Sequence, residues 1–123
     1  MTLDTLDIEY RGAAAWVWLN RPAVHNAFDE TLIAELTATL DSLGQDADSR
    51  VVVLAGRGKS FSAGADLNWM RKQGQADMAE KLADARRLAE LFRVLSVCPK
   101  PTIARVHGAA MGGGMGLAAA CDI

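Results

Sequence analysis

The run Arg50-Val51-Val52-Val53-Leu54-Ala55, followed closely by Phe61-Ser62-Ala63-Gly64-Ala65-Asp66, decides the fold. A continuous apolar, β-branched run without alternating polar residues reads as a parallel strand covered on both faces. A glycine loop comes directly after it. The same order returns later, where Thr102-Ile103-Ala104-Arg105-Val106 reads as a strand and Gly112-Gly113-Gly114-Met115-Gly116 follows. Strand, glycine loop and helix start thus occur twice, which places both loops at the carboxyl ends of strands, where α/β folds bind ligands.

The flanking segments support this reading. Leu6-Asp7-Ile8-Glu9-Tyr10 alternates, Gly12 offers a turn, and Ala15-Trp16-Val17-Trp18-Leu19 reads as the returning strand of a hairpin. Asp29 is placed to cap a helix carrying Leu32, Leu36, Leu40 and Leu43 on one face, with Gly44 at its expected end. A longer helix is predicted from about Asp77 to Val97, with Leu82, Ala85, Leu88, Phe92 and Leu95 as its apolar stripe, stopped by Pro99 and Pro101. Gly112 to Ala120 reads as a short helix of small residues that can pack closely. No repeat, low-complexity segment or linker marks a domain boundary.

Composition bounds the partners. The chain has 123 residues, half of them apolar, and a net charge of -2. Its scattered Lys and Arg form no basic stripe, which speaks against nucleic acid. No run approaches the roughly 18 apolar residues of a membrane span, and Met1-Thr2-Leu3-Asp4-Thr5-Leu6-Asp7 lacks a basic and an apolar leader region. Cys98 and Cys121 are too few for a disulfide framework. The expected location is the cytoplasm, with no membrane partner.

The two glycine loops carry the chemistry. Each leaves a backbone N–H that a ligand can reach, and two such donors aimed at one point hold the negative charge that develops on a carbonyl oxygen. A helix opening near Gly113 would add its positive dipole end. Glycine at 112 to 114 would leave the backbone open to a ligand and free to adopt unusual φ values. The alternative is a glycine-rich turn packed against a neighbouring strand.

Leu19-Asn20-Arg21-Pro22, Asn26-Ala27-Phe28, Ser62-Ala63-Gly64-Ala65-Asp66-Leu67, His107-Gly108-Ala109 with Gly112-Gly113-Gly114, and Cys121-Asp122-Ile123 together resemble the enoyl-CoA hydratase/isomerase (crotonase) superfamily, in order and spacing. The resemblance covers essentially the whole chain. It implies an α/β fold, a spiral of ββα units (the ClpP/crotonase fold) that would be incomplete at its C-terminus, and assembly as a homotrimer or dimer of trimers. Residues 1–123 would then be the N-terminal part of a single core domain, without its C-terminal remainder and helical trimerisation region.

The resemblance also implies roles. Ala65 and Gly113 would supply the two oxyanion amides. Ala63, Ala65, Asp66, Leu67 and Asn68 would meet coenzyme A, with Ala23 and Val24 lining the same ligand, and Gly113 and Gly116 facing the acyl end. Asp66 is equally readable as the N-cap of the following helix. Coenzyme A arrives as part of the acyl-CoA substrate, so no separate cofactor is expected. Hydration or proton transfer beside a thioester carbonyl passes through an enolate-like state, and losing one oxyanion donor raises such a barrier by about 3 kcal/mol.

One departure from the family pattern is informative. Hydratases with two catalytic glutamates carry one of them three residues beyond the oxyanion glycine, where this chain has Gly116. The other falls beyond Ile123. Either the sequence is a fragment of a roughly double-length enzyme, which an ending at the start of an expected core strand favours, or it is a short relative that has lost catalysis. Ala65-Asp66-Leu67-Asn68-Trp69-Met70, Leu82-Ala83-Asp84-Ala85 and Gly116 look most like the methylglutaconyl-CoA hydratase branch, which serves leucine or acyclic-terpene breakdown. Trp69 and Met70 are also readable as core residues of a short helix.

Other features carry less. His25 and His107 have no ligand-spaced partners, so no metal is expected. Gly58-Lys59-Ser60 is not a phosphate loop, because Val53 stands where that motif needs glycine, although Lys59 remains a candidate contact for a CoA phosphate. Leu117 stands where the dinucleotide fingerprint needs its third glycine, which disfavours a Rossmann nucleotide site. Cys98 reads as a buried structural thiol. The expected function is enoyl-CoA hydration, with enoyl-CoA isomerisation, thioester hydrolysis or a non-catalytic CoA-binding role as alternatives.

Overall fold

The computed structural model describes residues 3–123; the first two residues of the Met1–Asp7 stretch lie outside them. Strands β1 (Leu6–Arg11) and β2 (Ala14–Leu19) form an antiparallel hairpin in the register Leu6 opposite Leu19 through Arg11 opposite Ala14. β3 (Val51–Gly56) lies parallel to β2, and β4 (Thr102–Ala104) lies parallel to β3, giving the sheet order β1-β2-β3-β4. Helix α1 (Glu30–Gln45) connects β2 to β3, and helices α2 (Leu67–Gln75) and α3 (Met78–Ser96) connect β3 to β4. α4 (Gly113–Ala120) follows β4.

The period of two along the strands sorts their side chains. Ala15, Val17 and Leu19 of β2 join Val52 and Leu54 of β3 against Leu32, Ile33, Leu36, Leu40 and Leu43 of α1. On the opposite face Trp16 and Trp18 stack at 5.4 Å, the Arg11 guanidinium lies 4.3 Å over Trp16, and that of Arg57 lies 4.0 Å over Trp18. β3 is buried along both faces from Val52 to Gly56, as its composition predicts, while the indoles of β2 and the arginines stacked on them lie beside it. Stacked guanidiniums shield large aromatic area while keeping their charge in water.

Carboxylate caps start three helices. Asp29 accepts from Leu32 N at 2.9 Å, Asp66 from Trp69 N at 3.0 Å, and Asp77 from Glu80 N at 2.8 Å. α1 continues through Gly44 to Gln45, past the expected stop. A Cβ at Gly44 would meet Pro99 Cδ at 3.1 Å, so this glycine serves close packing. The stripe predicted for α3 holds only in part: Leu95 is buried and Leu88 and Phe92 pack against the core, joined by Leu91 and Val94, whereas Leu82 is 48% exposed. Only the C-terminal half of α3 lies on the core. Leu82 and Ala85 are exposed, and an open groove lined by Glu80, Ala83, Asp84 and Arg87 parts the N-terminal end of α3 from α2.

β4 is shorter than predicted. Arg105 N still donates to Leu54 O at 2.9 Å, after which the chain leaves the sheet. On the far side of β4, Ile123 N donates to Thr102 O and Ala104 N to Ile123 O, the bonding of a parallel neighbour. No helix among the described residues is long and apolar enough to cross a membrane.

Candidate functional site

The loop after β3 is held by a buried asparagine. Asn26 Oδ1 accepts from Arg21 N at 2.8 Å, and its Nδ2 donates to the carbonyls of Arg57, Ser60 and Phe61 at 2.9, 2.9 and 3.2 Å. The Asn26 carbonyl accepts from Ser62 Oγ, which in turn accepts from Gly64 N. Ala63 N donates to His25 O at 2.9 Å, bringing the short 3-10 turn of Pro22–Val24 beside the first glycine loop. Asn26 has φ 56°, a left-handed conformation that asparagine tolerates better than most residues.

Phe28 brings the site together. Its N–H donates to Gly64 O at 2.7 Å and its carbonyl accepts from Asp66 N at 2.8 Å, a parallel bridge that turns the Ala65 N–H to the other side. The second loop arrives through Met111 N donating to Ser62 O at 3.0 Å. A Cβ built on Gly64 would lie 3.2 Å from Gly113 N and 2.9 Å from Met111 O, so the peptide leading into Ala65 lies against the start of α4. Neither Ala65 N nor Gly113 N has an acceptor among the described residues. Each is partly exposed.

The glycines of the second loop serve three separate purposes. Gly112 has φ 54° with open space around its Cβ position. A Cβ at Gly113 would strike the Phe28 ring, and one at Gly114 would strike the Ser62 carbonyl. The expectation that all three keep space for a ligand is thus corrected: 113 and 114 are glycine because protein atoms fill the space where a side chain would begin. Gly116 faces the Phe92 ring at 3.1 Å from its Cβ position.

The residues expected to meet CoA divide into two groups. Ala23, Val24, Ala63, Leu67 and Asn68 are exposed, and Ala65 is partly so. Asp66 is buried and engaged: besides capping α2 it lies 3.3 Å from Arg21, which also stands 3.4 Å from Asp29 and donates to Ala27 O. The Trp69 amide, helped by Arg21, holds the Asp66 carboxyl below the ordinary aspartate range against the opposing effect of partial burial. Of the two readings of Asp66, the cap is the one the structure displays. Trp69 is buried in the core and Met70 is exposed.

The roles of Arg21 and Asn26 were not assigned from sequence. Both stand in the family blocks Leu19-Asn20-Arg21-Pro22 and Asn26-Ala27-Phe28, the one sequence signal that marks them. His25 Nδ1 lies 3.0 Å from Ser60 Oγ, and His107 Nε2 donates to Gly58 O at 2.7 Å. Both histidines thus fix the loop around Lys59, which is exposed. Among the described residues no three His, Cys, Asp or Glu side chains form a cluster fit to hold a metal ion. Cys98 is only half-buried. Burial pushes the Cys121 thiol up to about 11.

Two strand-end glycine loops meeting at Phe28, on a sheet flanked by helices, define an α/β protein of the crotonase fold. Residues 9–123 match the family model of enoyl-CoA hydratase/isomerase, and the chain belongs to that family. It superimposes with a TM-score of 0.95 and 45% identity on the crystal structure of an enoyl-CoA hydratase from Shewanella pealeana, covering 98% of this chain and 46% of that one. It is 40% identical over 115 residues to the human mitochondrial Delta(3,5)-Delta(2,4)-dienoyl-CoA isomerase, covering 87% of this chain and 35% of the relative. It is also 40% identical over 105 residues to the 2,3-dehydroadipyl-CoA hydratase of Escherichia coli K12, covering 85% and 39%. The chain spans less than half the length of each.

Proposed function

We propose that the protein carrying this chain is an enoyl-CoA hydratase whose Ala65 and Gly113 amides hold the thioester oxygen. The observation that carries this reading is the adjacency of two loops whose amides at 65 and 113 have no internal acceptor. In hydration, a water oxygen bonds to the β-carbon while the π electrons move onto the thioester oxygen. The two amides stabilise that enolate until the α-carbon takes a proton. Fixed donors are effective here because they need no reorganisation as the charge develops.

The proton carrier lies elsewhere in the whole protein. Asp66, next to Ala65, is committed to its cap and to Arg21, and Gly116 offers no side chain. A single carboxylate serving both proton steps fits the methylglutaconyl-CoA branch and a short, branched acyl group. Ala23, Val24, Ala63, Leu67 and Asn68 form the exposed strip that receives the CoA moiety. The reading further includes a trimeric assembly in the cytoplasm and no resident cofactor.

Isomerisation is the second reading, favoured by the 40% identity to a dienoyl-CoA isomerase. The same amides would serve, with the proton returned to a different carbon. One experiment separates the two: the whole protein is given crotonyl-CoA, 3-methylglutaconyl-CoA and a 3,5-dienoyl-CoA, and the products are weighed by mass spectrometry and their double bonds followed by ultraviolet absorbance. A product heavier by one water supports hydration, and one of unchanged mass with a shifted double bond supports isomerisation. Failure to convert any of the three, with no shift of the thioester carbonyl band on binding, refutes both.

A further inference from the structure

We propose that Phe28 is the positioning residue that sets the separation between the Ala65 and Gly113 amides, an inference that rests on the acyl-oxygen role given to them above. Phe28 is tied directly to both loops, and by different parts of itself. Its backbone is bonded on both sides of Ala65, to Gly64 O and Asp66 N. This bridge fixes the direction in which the Ala65 amide points. Its ring lies where a Gly113 side chain would start, with Cζ at 2.9 Å and Cδ2 at 3.5 Å from that Cβ position and Cε2 closer still. The residue is 1% exposed and packed within the main core.

The distance from the Phe28 backbone to its ring edge therefore acts as a spacer between the two donors. A phenyl ring suits this task because it is rigid and has only two side-chain torsions to fix. Gly113 opens α4, so its amide moves with the end of that helix, and the ring is the surface on which this end rests. A shorter side chain at 28 would leave the Ala65 bridge intact, since that bridge uses only main-chain atoms. It would remove the support beneath Gly113. The predicted consequence is selective: the amides lose their fixed separation while the exposed CoA strip stays unchanged.

The test uses the whole protein with crotonyl-CoA and compares wild type, Phe28→Leu, Gly113→Ala and the double variant, at a temperature where circular dichroism shows all four folded. Misplacing a reacting group by about 1 Å costs up to roughly 100-fold. Phe28→Leu is expected to lower kcat by about 10- to 100-fold with KM within about threefold, and to weaken the red shift of the bound thioester carbonyl band. Gly113→Ala forces a methyl into the Phe28 ring. In the double variant that methyl enters the space the ring vacated, so the two losses in kcat combine to less than their product.

A folded Phe28→Leu variant with unchanged kcat and carbonyl band, or losses that multiply in the double variant, overturns the proposal. So does a fall in kcat that only follows the folded fraction. If Phe28→Leu does not fold, the comparison of Gly113→Ala with the double variant decides, and a double variant no better than Gly113→Ala overturns it. A wild-type protein inert towards crotonyl-CoA and the other enoyl-CoA substrates would instead count against the functional reading itself.

Discussion

The Arg21 guanidinium lies 3.3 Å from the Asp66 carboxylate and, through the same group, 3.4 Å from Asp29. One cation thus joins the caps of α2 and α1, and Asp66 follows directly on Ala65. The order of the first glycine loop depends on a charge that is itself anchored to a second helix.

This arrangement has a pH signature. The Trp69 amide, then Arg21, keep the Asp66 carboxyl below its ordinary range despite partial burial. Its pKa is lower folded than unfolded, so the stabilisation is present above about pH 4 and is lost as pH falls through the lowered folded value. Asp66→Asn keeps a capping oxygen but removes the charge. It should cost about 1 kcal/mol at pH 7, with the gap to wild type closing in acid. Urea unfolding at pH 7 and near pH 3 measures this, and an equal gap at both would assign the stabilisation to shape alone.

Asn26 presents its Nδ2 to three carbonyls at once. Replacing it with Asp substitutes an oxygen for that donor and sets it facing three acceptors in a fully buried place. Leaving such groups unpaired costs about 1–3 kcal/mol apiece, so Asn26→Asp should destabilise by at least about 3 kcal/mol, more than any surface substitution. Asn26→Ala should be only slightly milder, because the carbonyls lose their donor either way. A loss below about 1 kcal/mol in denaturant titration would mean the loop is held by other contacts.

The parts that were legible in the sequence are those decided by near neighbours. Asp29 and Asp66 cap their helices because the amide each accepts from lies three residues ahead, and Val51-Val52-Val53-Leu54 declares a strand through its own side chains. The face of α3 was legible only in its C-terminal half, where Leu88, Phe92 and Leu95 meet the core. How far toward the N-terminus the buried stripe runs depends on what packs against it, which the helical period does not carry. Asn26 and Phe28 stand in a family block, but their roles were hidden for the same reason: the carbonyls that Asn26 Nδ2 meets and the loops that Phe28 meets lie more than 30 residues away. The two glycine loops were found, but the need for Gly113 was assigned to a ligand when the atoms that exclude a side chain there belong to Phe28.

Cys121 offers a reactivity test. Burial raises its thiol to about 11. Alkylation proceeds through the thiolate, so Cys121 should react with iodoacetamide at pH 8 well over tenfold more slowly than an ordinary thiol of pKa near 8.5. The same residue should react at the ordinary rate in urea. Peptide mapping of the modified site against time gives both rates, and rapid labelling of the folded protein would show that α4 ends in an open position.

The four glycines of the second loop should rank by what surrounds each one. At 114 a methyl group meets the main chain of Ser62, which cannot retreat without breaking the Met111 N to Ser62 O bond, so Gly114→Ala should be the worst. At 113 it meets the Phe28 ring, a side chain that can yield at the expense of the core, and a loss of about 1–3 kcal/mol is expected. At 112 there is room, and the cost comes from φ 54°, again about 1–3 kcal/mol. At 116 the Phe92 ring, half-exposed, has to move by only a few tenths of an ångström, while the helix gains about 0.5–1 kcal/mol from losing a glycine. Gly116→Ala should therefore be close to neutral in thermal unfolding. Four equal melting temperatures would show that this loop adjusts freely, and the rigid placement of the Gly113 amide would lose its physical basis.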